Sequence, residues 1–477
     1  MKRYILSLIL LAGIAITGCY KDKGNYDLHE INKISMKSNT KDTINVLQFD
    51  TAKMSPVITQ TTPIPETRLI YKWSAYLYTA PIGNSSSQVL STQKDLNVAI
   101  GLKPDKYTLL YTVTDTETGV SYFKKFFMEV SSKLSEGWMV INEKADKSRD
   151  IDLLNANGTI VRDIYRTANS ENLPDGAHSI KVLATFFNSA QNIIILSEKD
   201  AVRVNYASFI KIQNAKDWFV AKPEQLHPEN YAYNTFGSAT FMVTNGSFYG
   251  GQVDLRFGAP LGGDHKISKF IYSPGSNDAG ILYDTKNQRF LNYSNNAVFT
   301  FSIPANAAFN MNQIGKELIA AGKAPGDNYN YLMKDNGSDA FYIYRVSNGG
   351  AAGLHNVSAA PELKNAKLFA FSGMYMHIYY AIGNSIYLLD IEKNSAKIVY
   401  TFPAGEEITA LCLKQSQSTW VSFSDNNRTL AVGTFQNNVG KVYTFSIDGL
   451  GGFTNDTFTK EYKNLDKPVF LEFKNRK

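Results

Sequence analysis

The chain reads His-Ile-Tyr-Tyr-Ala over residues 377–381 and Asn-Ser-Ile-Tyr-Leu-Leu-Asp over residues 384–390. Both segments are rich in β-branched and aromatic residues, which favour strands, and only a short break separates them. An apolar strand, a tight break and a second strand are typical of a β-hairpin. The stretch therefore predicts one hairpin of a larger sheet.

This hairpin unit recurs along the second part of the chain. It is found at residues 136–143 with 151–154, 192–197 with 201–204, 241–244 with 251–255, 270–272 with 280–284, 331–333 with 341–344, 377–381 with 384–390, and 429–433 with 441–445. The spacing of roughly 40–60 residues is the spacing of propeller blades. A single blade cannot bury both of its faces, whereas blades stacked around an axis can. We predict a seven-bladed β-propeller; six or eight blades, or further sandwich domains, are the alternatives.

The ends of the repeat region carry two further predictions. Residues 467–473 form one more strand without a hairpin partner, and we expect this strand to complete the first blade, which begins at Trp138. Residues 222–231 and 311–322 interrupt the repeat and are interpreted as loops or short helices. The second interruption has three apolar residues at helical spacing, Ile314, Leu318 and Ile319.

The first part of the chain predicts a different β domain. Residues 31–130 alternate in period two, with turn residues every eight to twelve positions or so, which is typical of a β-sandwich. Trp73 stands in mid-strand, and Tyr107 enters a strand directly after a turn, as in a tyrosine corner. Ligand stacking by these two rings is possible in principle, but core packing is the favoured interpretation. The predicted domains are residues 31–132 and 133–477.

The N-terminus predicts a lipid anchor. Residues 1–18 form a leader with two cations and a short apolar run, and the run is too short to span a bilayer. The small residue Gly18 precedes Cys19, as a lipoprotein signal peptidase requires. We expect Cys19 to carry a diacylglycerol and an acylated amine such as a palmitate, with residues 19–30 as a polar tether. The alternative is an ordinary leader beside a coincidental cysteine.

Composition limits the partners. The net charge of +6 falls to +4 once the leader, which contains Lys2 and Arg3 and no acidic residue, is removed. Spread over the remaining chain, this charge does not indicate the concentrated basic patch that binds nucleic acid. The other of the two cysteines, Cys412, lies in an apolar segment and is interpreted as a buried, inert thiol.

The order of these features resembles that of the PKD-like family lipoproteins of Bacteroidetes. The resemblance is carried by the Cys-Tyr-Lys-Asp-Lys-Gly-Asn-Tyr segment at residues 19–26, by the sandwich with Val-Thr-Asp at residues 113–115, and by Gly137-Trp138 at the start of the repeats. It implies an outer-membrane lipoprotein. The acidic Asp22 near Cys19 resembles a surface-export signal and favours exposure at the cell surface, with the periplasmic leaflet as the alternative. The family resemblance also implies a role beside a nutrient-uptake complex, and it brings no catalytic motif.

No stretch of the sequence predicts an active site. Phosphate-binding glycine loops and the Gly-x-Ser-x-Gly elbow are missing, and no two of the six histidines have metal-ligand spacing, so no cofactor or metal is expected. Asp264-His265 is interpreted as an exposed turn rather than an acid–base pair. Glu406-Glu407 is interpreted as a solvated loop rather than half of a glycosidase pair. Residues 416–420 resemble a sialidase Asp-box only weakly.

Aromatic and amide side chains are abundant, with 28 Tyr, 28 Phe and 4 Trp. Rings stack on sugars and amides bind hydroxyl groups, so residues 230–234, 245–249 and 328–331 are candidate ligand loops. The favoured interpretation is that such residues simply build strands and turns. We predict a non-enzymatic lipoprotein that binds a glycan, a peptide or a partner protein. A propeller-type polysaccharide lyase or glycoside hydrolase is the alternative, and a role for the sandwich as a spacer is a third hypothesis.

Overall fold

A computed structural model describes residues 31–38, 41–79, 87–183, 192–234, 238–252, 256–273, 279–416 and 424–475. The leader, Cys19 and the tether lie outside these ranges. The chain divides into two compact units, one ending at Ser131 and the other beginning at Ser132. Among the described residues, no helix combines the length and the apolar character that a membrane crossing needs.

The first unit consists of nine strands in its described part. Their bounds are β1 Ile34–Ser38, β2 Thr43–Leu47, β3 Thr51–Met54, β4 Pro56–Gln60, β5 Leu69–Leu77, β6 Gln88–Ser91, β7 Leu96–Ala99, β8 Asp105–Asp115 and β9 Ser121–Ser131, with a 3₁₀ turn at Glu66–Arg68. A five-stranded sheet has the order β2-β9-β8-β5-β6, and the pairs β1-β4 and β3-β7 accompany it. Apolar residues from all three sheets form one core, so the predicted β-sandwich is confirmed.

The two aromatic residues singled out in this unit belong to the core. Trp73 is completely buried, stacks on Tyr111 with ring centroids 4.2 Å apart, and donates its indole N–H to the carbonyl of Gln93. Tyr107 donates its hydroxyl to the carbonyl of Lys103 at 2.9 Å. This bond back to the chain four residues upstream is the predicted tyrosine corner. Core packing, and not ligand stacking, is therefore confirmed for both residues.

Asp115, at the end of β8, holds the following turn. Its carboxylate accepts three hydrogen bonds from the guanidinium of Arg68, one from the backbone N–H of Glu117 and one from the hydroxyl of Thr118. A buried carboxylate needs such partners to offset its lost hydration. The Val-Thr-Asp segment thus ends a strand and anchors a turn with one side chain.

The second unit consists of seven antiparallel sheets in its described part, which we number as blades 1–7 in ring order. Blade 1 contains β10 Gly137–Glu143, β11 Arg149–Leu154, β12 Ile160–Val161 and β35 Lys467–Lys474. Blade 2 contains β13 Ser179–Leu183, β14 Asn192–Leu196, β15 Ala201–Asn205 and β16 Lys211–Asn214. Blade 3 contains β17 Pro228–Tyr233, β18 Ala239–Thr244 and β19 Ser247–Gln252, and blade 4 contains β20 Ala279–Asp284, β21 Arg289–Ser294 and β22 Ala297–Phe299.

The remaining blades have four strands each. Blade 5 contains β23 Lys316–Ala324, β24 Asn328–Asp335, β25 Phe341–Ser347 and β26 Gly350–Asn356, and blade 6 contains β27 Leu368–Phe371, β28 His377–Ile382, β29 Ser385–Asp390 and β30 Ser395–Thr401. Blade 7 contains β31 Glu407–Leu413, β32 Thr429–Gln436, β33 Val439–Ser446 and β34 Lys460–Leu465. One α-helix, α1 Ile164–Asn169, and 3₁₀ turns at Ala215–Trp218, Leu363–Asn365 and Thr454–Asp456 connect the strands.

The apolar cores show that the blades form a closed ring. Six separate cores join each blade to the next, from blades 1 and 2 through to blades 6 and 7. A seventh core joins blade 7 back to blade 1, through Val442 and Tyr462 on one side and Trp138 and Leu471 on the other. Each blade therefore buries both of its faces against two neighbours, which is the physical requirement of a propeller. The predicted seven-bladed propeller is confirmed.

The C-terminal strand closes the ring as predicted. β35 pairs antiparallel with β10, in a register that sets Leu471 opposite Val140 and Phe473 opposite Trp138. At the end of β35 the fully buried Lys474 donates to the carbonyls of Leu134 and Ser135. The last strand of the chain is thus the innermost strand of the first blade.

Three sequence predictions within the ring were wrong. Of residues 311–322, which were expected to form a loop or a short helix, residues 316–322 belong to strand β23, and a bulge lies between Leu318 and Ala320. The partner of 241–244 is β19, which begins at Ser247 rather than at 251, and residues 253–255 lie outside the described ranges. Residues 270–272 do not form a regular strand: they contact β20 only through an antiparallel bridge between Tyr272 and Ile281, while the other edge of β20 pairs with β21.

Candidate functional site

The centre of the ring contains charged residues on the innermost elements of four blades. They are Glu472 on β35 of blade 1, Lys181 on β13 of blade 2, Lys269 beside β20 of blade 4, and Lys323 on β23 of blade 5. We call these four residues the ring cluster. Lys269 belongs to residues 267–272, which are attached to β20 by bridges at Ile267 and Tyr272 and replace a regular innermost strand.

Interactions between blades that are not neighbours show that the cluster shares one central space. Glu472 on blade 1 interacts electrostatically with Lys323 on blade 5, and Lys181 on blade 2 with Lys269 on blade 4. Lys323 also donates from its Nζ atom to the carbonyl of Ser416 at 2.9 Å, and Ser416 follows the innermost strand of blade 7. In a ring of seven blades, such pairs can meet only across the axis.

The environment of the cluster is enclosed and yet reached by water. Burial lowers the pKa of Lys181 and of Lys323, and it raises the pKa of Glu472 to about 7. The opposite charges within the cluster act against these shifts. Lys269 and Lys323 are nevertheless exposed, and Lys181 and Glu472 are half-buried. Side chains that are surrounded by protein while still touching water line a narrow internal space.

The charges of the cluster are unequal, with three lysines and one glutamate. Within the described part of the chain, the Nζ atoms of Lys181 and Lys269 form no hydrogen bond and no salt bridge; Lys269 lies 5.4 Å from the ring centre of Phe270. A confined excess of positive charge attracts anions. The ring centre can therefore accept a negatively charged group.

Aromatic rings stand beside the cluster. Tyr329 is the cross-strand partner of Lys323 and is half-buried. Its ring stacks on Tyr272 of blade 4, with centroids 5.4 Å apart and an interplanar angle of 13°. Burial raises the pKa of Tyr329, so this hydroxyl stays protonated and can donate or accept a hydrogen bond.

Cys412 also lies on an innermost strand, β31. The residue is partly buried, whereas the sequence suggested a fully buried thiol. Burial by the surrounding protein, followed by the charge of Glu472, raises the pKa of the thiol well above its usual value. Such a thiol is a poor nucleophile, as its interpretation as an inert residue requires.

The prediction of a solvated loop at residues 406–407 is wrong for Glu406. This residue is buried and accepts hydrogen bonds from the hydroxyls of Thr434 at 2.7 Å and Tyr443 at 2.9 Å, while Glu407 is exposed. Lys441 donates to the Tyr443 hydroxyl at 3.1 Å. Burial and the bond to Glu406 raise the pKa of Tyr443, so its phenol holds its proton. The group links three strands of blade 7 and cannot supply a tyrosinate base.

The other sequence candidates do not assemble into a site. Asp264 is exposed and pairs with Lys286, as expected for a turn, and no hydrogen bond joins it to the His265 side chain in the described structure. Over the described ranges, no group of three or more His, Cys, Asp or Glu residues is arranged to hold a metal ion. Residues 417–420, in the Asp-box-like segment, lie outside the described residues.

The three candidate ligand loops are strands and turns. Residues 230–233 belong to β17, 247–249 to β19 and 328–331 to β24. Their larger rings are mostly inside: Tyr231, Phe248 and Tyr331 are buried in cores between blades. The expectation that these stretches are exposed loops was wrong, since most of their residues belong to strands, as the favoured interpretation predicts.

Sequence reasoning missed the ring cluster, although a signal was present. Lys181 stands within Ser-Ile-Lys-Val-Leu and Glu472 within Val-Phe-Leu-Glu-Phe, so each is a single charge inside a short apolar strand. A charge at such a position is costly unless it faces water or a partner. This pattern could have identified Lys181 and Glu472 as candidate functional residues, but it could not have shown that they lie close together.

Solved structures of other propeller-like proteins resemble this chain at low identity. An alcohol dehydrogenase-like quinoprotein from Bacteroides thetaiotaomicron is 12% identical, with a TM-score of 0.47, covering 92% of this chain and 99% of the other. Virginiamycin B lyase from Staphylococcus aureus is 12% identical, with a TM-score of 0.39, covering 63% and 92%. The extracellular domain of a one-component system protein from Bacteroides thetaiotaomicron is 11% identical, with a TM-score of 0.37, covering 63% and 39%.

Sequence comparison gives one match. Among curated proteins, no sequence matches the chain significantly. Residues 19–176 match the model of the PKD-like family, a range that includes the described part of the first unit and continues through strands β10–β12 of blade 1, but not β35. The PKD-like resemblance is thus confirmed over residues 19–176.

Proposed function

We propose that the protein is a non-enzymatic binding protein, anchored by lipid at Cys19 to the outer membrane and exposed at the cell surface, where it serves a nutrient-uptake complex. The leader and its Gly-Cys junction support the anchor. The match to the PKD-like family supports the setting, and it begins at Cys19 itself. The ligand belongs to the propeller, since this unit contains the ring cluster.

The observation that carries the binding role is the centre of the ring. Four of the seven blades place three lysines and a glutamate around one water-accessible space. The ammonium groups of Lys181 and Lys269 have no hydrogen-bond partner in the described structure. Rigid strands keep these side chains in place before any ligand arrives, which lowers the entropic cost of binding. Lysines held close together in such a space are better explained by ligand binding than by a contribution to the stability of the fold.

The catalytic alternative finds less support. A lyase needs a base that removes a proton from a sugar carbon, and a tyrosine in that role needs a lowered pKa. Tyr443 has a neighbouring lysine, but its pKa is raised and its hydroxyl donates to Glu406. The Tyr443–Lys441 pair therefore favours a structural role.

Two measurements test the proposal. Tagged full-length protein is captured from membranes in mild detergent, with a Cys19→Ala variant as the matched control. We expect fatty-acid labelling and co-capture of an outer-membrane transporter for the wild type only. In parallel, the wild-type protein is applied to a glycan array. An unlabelled wild type refutes the anchor, and failure to capture a transporter together with a blank array refutes the binding role.

A further inference from the structure

The ring cluster defines the chemistry of the ligand more narrowly than the fold does. We propose that the centre of the propeller binds an acidic oligosaccharide, with Lys181, Lys269 and Lys323 as cationic contacts for its carboxylates and Glu472 as the internal counter-charge. The inference rests on the proposed function and names the ligand class of the same site.

The first step of the argument is charge. Lys181 and Lys269 stand on blades 2 and 4 and repel each other, while Glu472 attracts Lys181 more strongly than Lys269 repels it. With three lysines and one glutamate, the cluster as a whole still holds an excess of positive charge. Lys323 uses one of its three N–H donors on the carbonyl of Ser416 and keeps two for another acceptor. Two or three ammonium groups around one space match a ligand with carboxylates spaced along a chain.

The second step is the aromatic surface. Tyr329 lies beside Lys323 at the edge of the core between blades 4 and 5, where Tyr272 stacks on its ring and Tyr331 approaches it with ring centroids 5.3 Å apart, and its side chain is partly open to water. A sugar hydroxyl can hydrogen-bond to the Tyr329 hydroxyl at this edge, while the carboxylate of the same sugar reaches Lys323. The combination of ring and cation at one place favours an acidic sugar over a simple inorganic anion or an acidic peptide.

The third step is the role of Glu472. A carboxylate among three lysines offsets part of their mutual repulsion, but it also competes with an incoming carboxylate. Its removal should therefore strengthen the binding of an anion, whereas removal of any of the lysines should weaken it. Opposite effects of opposite charges distinguish this site from an unspecific loss of structure.

The experiment measures calorimetric affinity of the full chain for a short oligogalacturonate and for its carboxyl-reduced, neutral counterpart. The variants are Lys181→Gln, Lys269→Gln, Lys323→Gln and Glu472→Gln. The matched control is Lys364→Gln, because Lys364 is exposed and paired with Asp339 away from the ring centre. Thermal unfolding of each variant confirms that it is folded.

We expect the acidic ligand to bind and the neutral one not to bind. Each lysine variant should weaken binding by about 10-fold or more, since a charge-assisted bond is lost. Glu472→Gln should strengthen it, Lys364→Gln should leave it unchanged, and added salt should weaken it.

Three results would overturn the inference. Equal binding of the neutral oligosaccharide would show that the ligand need not be acidic, although the proposed binding function would still stand. Equally effective competition by a glutamate peptide of the same charge would show that the site does not require a sugar. Failure of the folded protein to bind the oligogalacturonate would refute the site, even where a transporter is still captured.

Discussion

Tyr107 illustrates how much one side chain does in the first unit. Its ring is buried in the sandwich core, and its hydroxyl closes the preceding turn through Lys103. We expect Tyr107→Phe to lower the free energy of unfolding by about 1 kcal/mol, because one hydrogen bond is lost and the ring remains. Urea denaturation measures the change. Tyr76→Phe is the control, since the Tyr76 side chain on β5 is half-exposed; an equal loss in both variants would contradict the tyrosine corner.

Asp152 makes the stability of the propeller depend on pH. The residue is buried on β11, where it accepts the N–H of Asp163, and burial raises its pKa to about 6. In the unfolded chain the pKa is near its ordinary value, so between about pH 4 and pH 6 the folded protein holds more of the proton. The contribution of this group to stability is therefore greatest below pH 4 and is lost as the pH rises through 6.

The measurement compares wild-type protein with Asp152→Asn from pH 4 to pH 7. We expect the wild type to lose roughly 3 kcal/mol relative to the variant over this interval. The neighbouring carboxylates Asp150 and Asp163 remain in both proteins, and their charges also raise the pKa of Asp152, so the difference reports Asp152 together with this coupling. A difference that does not change with pH, or that changes with the opposite sign, would contradict this assignment.

At the scale of elements, β35 is the strand on which the ring depends. It supplies the innermost strand of blade 1, and its Leu471 packs in the core between blades 7 and 1. We expect Leu471→Ala to lower the free energy of unfolding by roughly 2–5 kcal/mol, because it leaves a cavity in the joint that closes the ring. Chemical denaturation followed by tryptophan fluorescence measures this effect.

The matched control is Ile398→Ala. Ile398 lies on β30, the outer strand of blade 6, and it is 53% exposed. Its loss should change stability by less than about 0.5 kcal/mol. Similar losses in the two variants would show that closure through β35 contributes little.

Strand β23 shows why element boundaries were harder to predict than element number. The bulge between Leu318 and Ala320 shifts the alternation of side chains by one residue. Leu318 and Ile319 therefore face the cores on opposite sides of the blade, and Ile314 lies in the segment before the strand; their spacing only imitates a helix. Pairing with β24 along the whole strand decides the structure, and this pairing is not a local property of the sequence.

At the scale of the whole molecule, the two units enclose separate cores. The sandwich core contains Trp73, while the ring has seven cores of its own in the described structure. We therefore expect two unfolding transitions in calorimetry. Trp73→Ala should lower the first unit's stability by roughly 3–5 kcal/mol and shift one transition only.

The reciprocal variant is Leu471→Ala, which should shift the other transition. The pair serves as its own control, because each variant reports on the unit that the other leaves intact. A single transition that moves with both substitutions would contradict independent cores.

The sequence by itself determined the local features of this protein. Period-two alternation predicted strands, short polar breaks predicted hairpins, and their recurrence predicted seven blades and the pairing of the last strand with the first. The tyrosine corner was also predictable, since donor and acceptor are four residues apart. In each case a signal within a few residues, or its repetition, is sufficient, because backbone pairing and turn formation follow local residue types.

Only the tertiary structure decided what the ring contains. Lys181 and Glu472 are distant in sequence and meet because seven blade interfaces, each with its own core, close on one another. The same packing buries Tyr231, Phe248 and Tyr331, whose sequence context suggested exposed loops. Burial and electrostatic contact are properties of the closed ring, since they depend on which blades face each other across the axis, and no segment of the chain carries that information alone.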